Sequence, residues 1–338
     1  MQTKPVESKP LPPVEQVRPG LWSIPVPLPI VLRYVLVYAF ETDRGPFIVD
    51  AGWNTDVAYE ALGAGLNEAG FDIADVQGVM VTHIHPDHYG LAGRIRDTSG
   101  AWIALHPADA ALIHDRYEAP HDLLERMGGW LRRLGAPDSE IEDLRNASMP
   151  AREFVEFAKP DLLLEDGDKP DMPGWDLTAV WTPGHSPGHL CFWEPRNKLM
   201  LTGDCVLPRI TPNVNLNPQT SDDPLGDYLR SLERLGTYDA EGLPAHEWRY
   251  PSLRDRTREL EEHHHQRFLE VIQAIRDGYD TAWEITPQMT WSRPWDDTDK
   301  FTRRSAIGEA LAHLRTLEVQ GVVREVEGEP SRWELLGD

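Results

Sequence analysis

Apolar positions in the first hundred residues fall in short bursts separated by polar or glycine-bearing breaks. Tyr34–Phe40 and Pro46–Asp50 are two such bursts, and the second runs into Asp50-Ala51-Gly52. Runs of this kind, bounded by turn residues, predict strands. The period changes over Asp56–Ala69, where Val57, Leu62 and Leu66 recur near one helical face and Gly70 supplies the stop. Val79–Thr82 predicts another strand, Tyr89–Thr98 a helix closed by Gly100, and Ala101–Leu105 a further strand. Such alternation predicts an α/β chain in which helices cover a sheet.

From His106 to Lys159 the texture is helical, with patterns over Ala108–Tyr117, Leu123–Leu134 and Ser139–Ala147 and Asp138 as N-cap of the last. This insert carries Met127, Trp130, Met149 and Phe154, enough apolar bulk either to form a lid or simply to pack on the sheet. Strands resume at Leu177–Thr182, Leu190–Glu194 and Lys198–Thr202, while Pro224–Leu235 and Ser252–Arg276 predict helices. Arg303–Val319 then spaces Ile307, Ala310, Leu311, Leu314 and Leu317 helically. Val322–Val326, a turn at Gly328-Glu329-Pro330 and Trp333–Leu335 follow, so the tail has the outline of a winged helix. The expected layout is a flexible Pro-rich leader over 1–19, a main domain over 20–250 containing the insert at 106–159, and a connecting helix with the winged-helix-like domain over 251–338.

Charge narrows the partners. With 33 Lys+Arg against 56 Asp+Glu the net charge is −23, which repels phosphate backbones and anionic membrane surfaces. The apolar stretch Trp22–Phe40 is interrupted by Pro25, Pro27, Pro29 and Arg33, so no membrane span is expected. Two cysteines, Cys191 and Cys205, cannot form a disulfide framework, and the start of the chain lacks the apolar core of a secretory signal. These features predict a cytoplasmic protein whose cysteines belong to the core.

The chemistry gathers in Thr82-His83-Ile84-His85-Pro86-Asp87-His88. In an extended run His83 and His85 point the same way, Pro86 ends the strand, and Asp87 and His88 open the next helix. Ligands offered in two directions suit two neighbouring metal ions, and imidazoles with a carboxylate suit zinc, with iron or manganese also compatible. Thr182-Pro183-Gly184-His185-Ser186-Pro187-Gly188-His189 follows one predicted strand, Asp204 ends another, and His246 ends a third. Each is a weak signal by itself. Their order along one chain is not.

Five strand-end motifs over about residues 20–250 (Asp50-Ala51-Gly52, His83-x-His85-x-Asp87-His88, His185, Asp204 and His246) resemble the metallo-β-lactamase-fold hydrolase superfamily. The resemblance implies an αββα sandwich carrying a dinuclear site. In it His83, His85 and His185 bind one metal, Asp87, His88 and His246 bind the second, and Asp204 bridges them. It gives Asp50 the part of orienting a ligand rather than binding metal. The helix Ser252–Arg276 and the tail resemble the subgroup of β-lactamase-like protein 2, although the insert is longer than that subgroup usually carries. His263, His264 and His265 on that helix are read as packing or solvated residues, because the site already has its ligands.

The expected reaction is hydrolysis by a hydroxide shared between two divalent ions, with Asp87 holding it and later relaying its proton to the leaving group. Acidity and the apolar insert favour a small-molecule or carrier-bound acyl substrate: a thioester, ester or lactone. A phosphodiesterase or ribonuclease is the alternative, weakened by the tail, where Thr281–Asp338 holds 7 Lys+Arg against 11 Asp+Glu. A ligand-sensing regulator with a DNA-binding winged helix is third, since Arg303, Arg304 and Arg315 stand beside Glu309 and Glu318. Oligomeric state is open, a homo-oligomer being compatible.

Overall fold

The computed structural model describes residues 10–337, so the first nine residues of the expected leader lie outside it. Two mixed sheets stack face to face, and helices cover both outer surfaces. The first sheet opens with β1 (Glu15–Arg18), β2 (Leu21–Pro27), β3 (Tyr34–Phe40) and β4 (Phe47–Val49), each antiparallel to the next. β1 thus forms inside the stretch read as flexible. After α1 (Asp56–Glu68) the sheet continues with β5 (Gly78–Met80), parallel to β4. The helices α2 (Pro86–Tyr89) and α3 (Ala92–Ser99) lead to β6 (Trp102–Leu105). Then come α4 (Pro107–Ala110), α5 (His121–Arg133), α6 (Asp138–Arg145) and the last strand of the sheet, β7 (Leu162–Leu163). The second sheet has the order β11-β10-β9-β8, built from β8 (Thr178–Trp181), β9 (Leu190–Glu194), β10 (Leu199–Gly203) and, after α7 (Pro224–Leu235), β11 (Glu241–Pro244). Three helices follow, α8 (Leu253–Arg276), α9 (Ala282–Ile285) and α10 (Lys300–Val319), and then an antiparallel hairpin of β12 (Val323–Val326) and β13 (Arg332–Leu335).

Period-two alternation explains the layering. In β3, Leu36, Tyr38 and Phe40 enter the space between the sheets, where they meet Leu190, Phe192, Leu199 and Leu201. Val35, Val37 and Ala39 point the other way, onto Leu62 and Leu66 of α1 and Ile95 of α3. A strand buried on both faces reads as a continuous apolar run, which is how Tyr34–Phe40 reads. On the far side of the second sheet, Val180, Cys191 and Met200 share a cluster with Leu232 of α7, Leu260 of α8, Leu314 of α10 and Trp333 of β13. Among the described residues no helix is long and apolar enough to cross a membrane.

Four local expectations need correcting. Val57 is 67% exposed; the inward face of α1 is Ala58, Leu62, Gly65 and Leu66, because 100° per residue carries position 57 off that stripe. Asp138 is the first residue of α6 rather than its cap; Pro137 is the N-cap, and the acid sits in the first turn, where the helix dipole favours it. Ala108–Tyr117 is not one helix: α4 ends at Ala110 and His114–Glu118 closes as a π-helical turn through Ala119 N–H to His114 C=O. The strand ahead of the histidines stops at Met80, so His83 and His85 stand on a loop, with His85 as the N-cap of α2.

Candidate metal centre

The histidines and aspartates expected at the centre gather on one rim of the sandwich: Asp87 and His88 in the short helix α2, the others on loops at strand ends. His83, His85 and His185 form one group, with His83 Nε2 2.8 Å from His85 Nδ1 and 3.2 Å from His185 Nε2, and the last two atoms 3.0 Å apart. Asp87, His88, Asp204 and His246 form a second. Asp204 spans the two: its Oδ2 lies 3.7 Å from His185 Nε2 and 3.5 Å from His88 Nε2, and its Oδ1 lies 3.4 Å from His246 Nε2. Asp50 stays outside both groups.

Hydrogen bonds at the far side of four of the rings decide which nitrogen faces inward. His185 Nδ1 donates to the Asn213 carbonyl at 2.8 Å, and His246 Nδ1 to the Tyr34 carbonyl at 3.0 Å. His88 Nδ1 donates to Asp50 Oδ2 at 2.8 Å. The Thr82 hydroxyl spends its proton on Asp50 and therefore accepts from His83 Nδ1 at 3.0 Å. In a neutral imidazole one nitrogen donates and the other accepts. His83 Nε2 and His185 Nε2 thus present lone pairs to each other, with His85 Nδ1 within reach of both, an arrangement that a shared cation satisfies. His88 Nε2, His246 Nε2 and Asp204 Oδ1 are buried with no hydrogen-bond partner among the described residues. Converging and otherwise unsatisfied nitrogen and carboxylate atoms fit metal ions.

Electrostatics separates the groups. Burial, reinforced by neighbouring imidazoles, pushes His83 and His85 well below the ordinary histidine value, so this group is neutral. Around His246, burial opposes charge, but Asp204 and Asp87 outweigh it and push the pKa up to about 10. His88, flanked by Asp87, Asp50 and Asp204, is likewise held high against its burial. The carboxylate-bearing group therefore demands positive charge, which protons meet in the bare protein and a divalent ion meets better.

Three residues around the centre had no assigned part in the sequence reading. Asp109 is fully buried and receives hydrogen bonds from Ile84 N–H (2.9 Å), Ser186 Oγ (2.8 Å) and Gly188 N–H (2.7 Å), tying the loop of His83 and His85 to the loop of His185. His189 Nε2 accepts the backbone N–H of Asp204 at 3.2 Å. Thr82 links Asp50 to His83 as described. His189 was visible as the second histidine of its glycine-proline motif, whereas Asp109 has no local signal. Gly203, at φ +48°, lets these parts close up: a Cβ there would stand 2.7 Å from His189 Nε2 and 2.9 Å from Thr82 Cβ. Away from the centre, His264 is buried against His313 with Nδ1 to Nε2 at 3.1 Å, and His265 is exposed. Cys191 and Cys205 are free and buried.

Comparison with known proteins agrees with this geometry. Residues 30–244 match the sequence profile described as "Metallo-beta-lactamase superfamily". The chain belongs to that superfamily. The probable metallo-hydrolase YqjP of Bacillus subtilis is 26% identical over 306 residues, covering 84% of this chain and 93% of that protein. The acyl-coenzyme A thioesterase MBLAC2 of Homo sapiens is 27% identical over 157 residues, only 46% of this chain and 49% of that protein. A metallo-beta-lactamase family protein of Thermus thermophilus superposes with a TM-score of 0.82 at 33% identity, covering 95% of this chain and 100% of that one. The superfamily profile covers residues 30–244, the Thermus thermophilus protein shares the architecture of nearly the whole chain, and the protein is a metallo-hydrolase of this superfamily.

Proposed function

We propose that this metallo-hydrolase holds two divalent ions and cleaves the carbonyl carbon–heteroatom bond of an acyl thioester, ester or lactone. His83, His85 and His185 bind one ion, Asp87, His88 and His246 the other, and Asp204 bridges. The observation that carries the reading is the pair of converging donor groups joined by one carboxylate. Five imidazoles and two carboxylates suit zinc first, with iron or manganese as alternatives. When bound, the ions supply a water of lowered pKa and a contact for the oxygen on which charge develops.

The chain's own groups do the rest. Asp50, Thr82, Asn213 and Tyr34 hold the outer ring nitrogens of His88, His83, His185 and His246, so that these four imidazoles enter with the other nitrogen inward. Asp87, at the N-terminal turn of α2 with Oδ2 3.3 Å from His246 Nε2, takes the proton of the attacking water and hands it to the departing thiolate or alkoxide. A thioester leads the substrate classes because the human relative is named an acyl-coenzyme A thioesterase.

Charge speaks against a nucleic-acid substrate. On α10 and beside it, Arg303 donates to Glu140, Arg304 to the carbonyls of Leu144 and Arg145, and Arg315 to Glu325, so these arginines face inward. This supports reading the C-terminal helices and hairpin as a winged-helix-like packing module. The test is a panel of acyl-CoA, aryl-ester and lactone substrates on zinc- or manganese-loaded protein, with Asp204→Ala alongside. Turnover lost in the variant is expected; no turnover of any panel member by the wild type overturns the reading.

A further inference from the structure

Arg116 stands where an acidic protein would be expected to neutralise it, and does not. It lies in the π-helical turn His114–Glu118, next to Tyr117, whose hydroxyl donates to the Ile84 carbonyl at 2.6 Å. Ile84 separates His83 from His85, so this bond fixes the turn against the metal-binding loop. Arg116 is half-buried, and its one recorded hydrogen bond runs from Nε to Gln219 Oε1 at 3.3 Å. Among the described residues it makes no ion pair; neighbouring Asp115 pairs with Arg126, and Glu118 with His114. Asp109 feels its charge, but the Asp109 oxygens already accept from Ile84, Ser186 and Gly188 and make no ion pair with it.

A second cation approaches from the other end of the chain. Arg304, on α10, caps the C-terminal end of α6 with Nη1 at 3.1 Å and 3.2 Å from the carbonyls of Leu144 and Arg145. Burial and the charge of Arg116 push it down to about 10. One turn further along α10, the Gly308 carbonyl accepts from Leu216 N–H, on the same loop that supplies the Asn213 carbonyl to His185 and Gln219 to Arg116. Gln219 Nε2, buried and without a partner among the described residues, adds an unused donor. Arg116 and Gln219, joined by their hydrogen bond, therefore offer a guanidinium and a free amide N–H beside the loop of His83 and His85, and Arg304 stands on the helix that holds the Gln219 loop.

We propose that Arg116 and Arg304, with Gln219 Nε2, form an anion subsite that takes a carboxylate carried on the acyl part of the substrate. Guanidinium groups recognise planar carboxylates with paired N–H donors. The Tyr117 hydroxyl ties the turn of Arg116 to the Ile84 carbonyl, between His83 and His85, so the anion lies close to the scissile carbonyl and not out on a long carrier arm. This specificity rests on the acyl-hydrolase reading above, with a dicarboxylic acyl group as the preferred substrate class.

The test separates the two. Metal-loaded wild type is titrated calorimetrically with glutarate and with butyrate, and so are Arg116→Gln, Arg304→Gln and the surface control Arg94→Gln; circular dichroism melts confirm folding. Both acids offer one carboxylate to the metals, but only glutarate has a second for the arginines. The expected result is glutarate bound about tenfold or more tighter than butyrate by wild type and the control, with that preference lost in Arg116→Gln and reduced in Arg304→Gln. Equal binding of the two acids by wild type, or a preference that survives in Arg116→Gln, overturns the subsite. Glutaryl and butyryl thioesters are then assayed in parallel. If neither turns over while the arginine-dependent preference persists, the subsite stands and the thioester reading falls.

Discussion

Replacing Asp109 by alanine removes no proposed metal ligand, yet it is expected to loosen the centre from outside. The Asp109 carboxylate is the recorded acceptor for Ile84 N–H at 2.9 Å and Gly188 N–H at 2.7 Å, both inside the protein. A buried donor left without a partner costs about 1–3 kcal/mol. Two of them give a loss of about 2–6 kcal/mol, while the Ser186 hydroxyl can rotate to another acceptor. Asp109→Asn retains one carbonyl oxygen for Gly188 but turns an N–H toward Ile84, so about half that loss is expected. Urea unfolding of metal-free protein measures the stability term. Competition with a chelator measures the second effect, because Ile84 lies between His83 and His85, and outer partners of ligands change metal affinity by about 10–100-fold. Unchanged unfolding midpoints and unchanged metal affinity in Asp109→Ala would refute the assignment of Asp109 as the tie between the two loops.

Three further outcomes are expected. Asp204→Ala breaks the link between the two donor groups, so elemental analysis is expected to find less than one ion per chain in place of two; full occupancy contradicts a bridging role. Gly203→Ala places a methyl 2.7 Å from His189 Nε2 on a backbone at φ +48°, and a clear drop in thermal stability with reduced metal retention is expected; a melting curve matching wild type argues against the close approach. His313 is pushed down to about 3, chiefly by burial and further by Arg267 and His263, against the opposing bond to the Glu309 carbonyl. A depressed histidine contributes stability that is complete above its unfolded value near 6.5 and drains away as pH falls toward 3. The double variant His264→Leu/His313→Leu removes both rings of the buried pair, so its unfolding midpoint is expected to fall less steeply than wild type between pH 6.5 and 4; an identical slope rules the pair out as the acid-sensitive element.

Several elements were legible from period alone. The run Tyr34–Phe40 is apolar at every position because β3 is covered on both faces, and strands of that kind sit in the middle of layered folds. The candidate ligands were legible from residue type and order, since imidazoles and carboxylates after successive strand ends have few other uses. The failures have physical causes. Val57 was assigned to the buried face because its side chain is apolar, but an isolated valine on a helix surface costs little. Ala108–Tyr117 reads as helical throughout, and nothing local shows that Asp109 is held inward while the next turn widens into a π-turn. For Met127 and Trp130 the sequence left a lid and plain packing equally open; Met127 is buried with Leu131, Ile141 and Leu144 in the insert's own cluster, and Trp130 packs against it.

What the chain decided by itself was the repertoire: strands and helices from the spacing of apolar side chains, and metal-binding chemistry from the kinds of residue placed after them. Both are local properties, written within a few positions of one another. Tertiary structure decided which of those groups meet. His83 and His185 are 102 positions apart, yet their lone-pair nitrogens stand 3.2 Å from each other because the two sheets stack with these loops on one rim. The same stacking selects Asp109 from among many similar acids, since it is carried to Ser186 and Gly188 across 77 and 79 positions. A carboxylate becomes a structural tie only when buried donors surround it, and that surrounding exists only after the layers have closed.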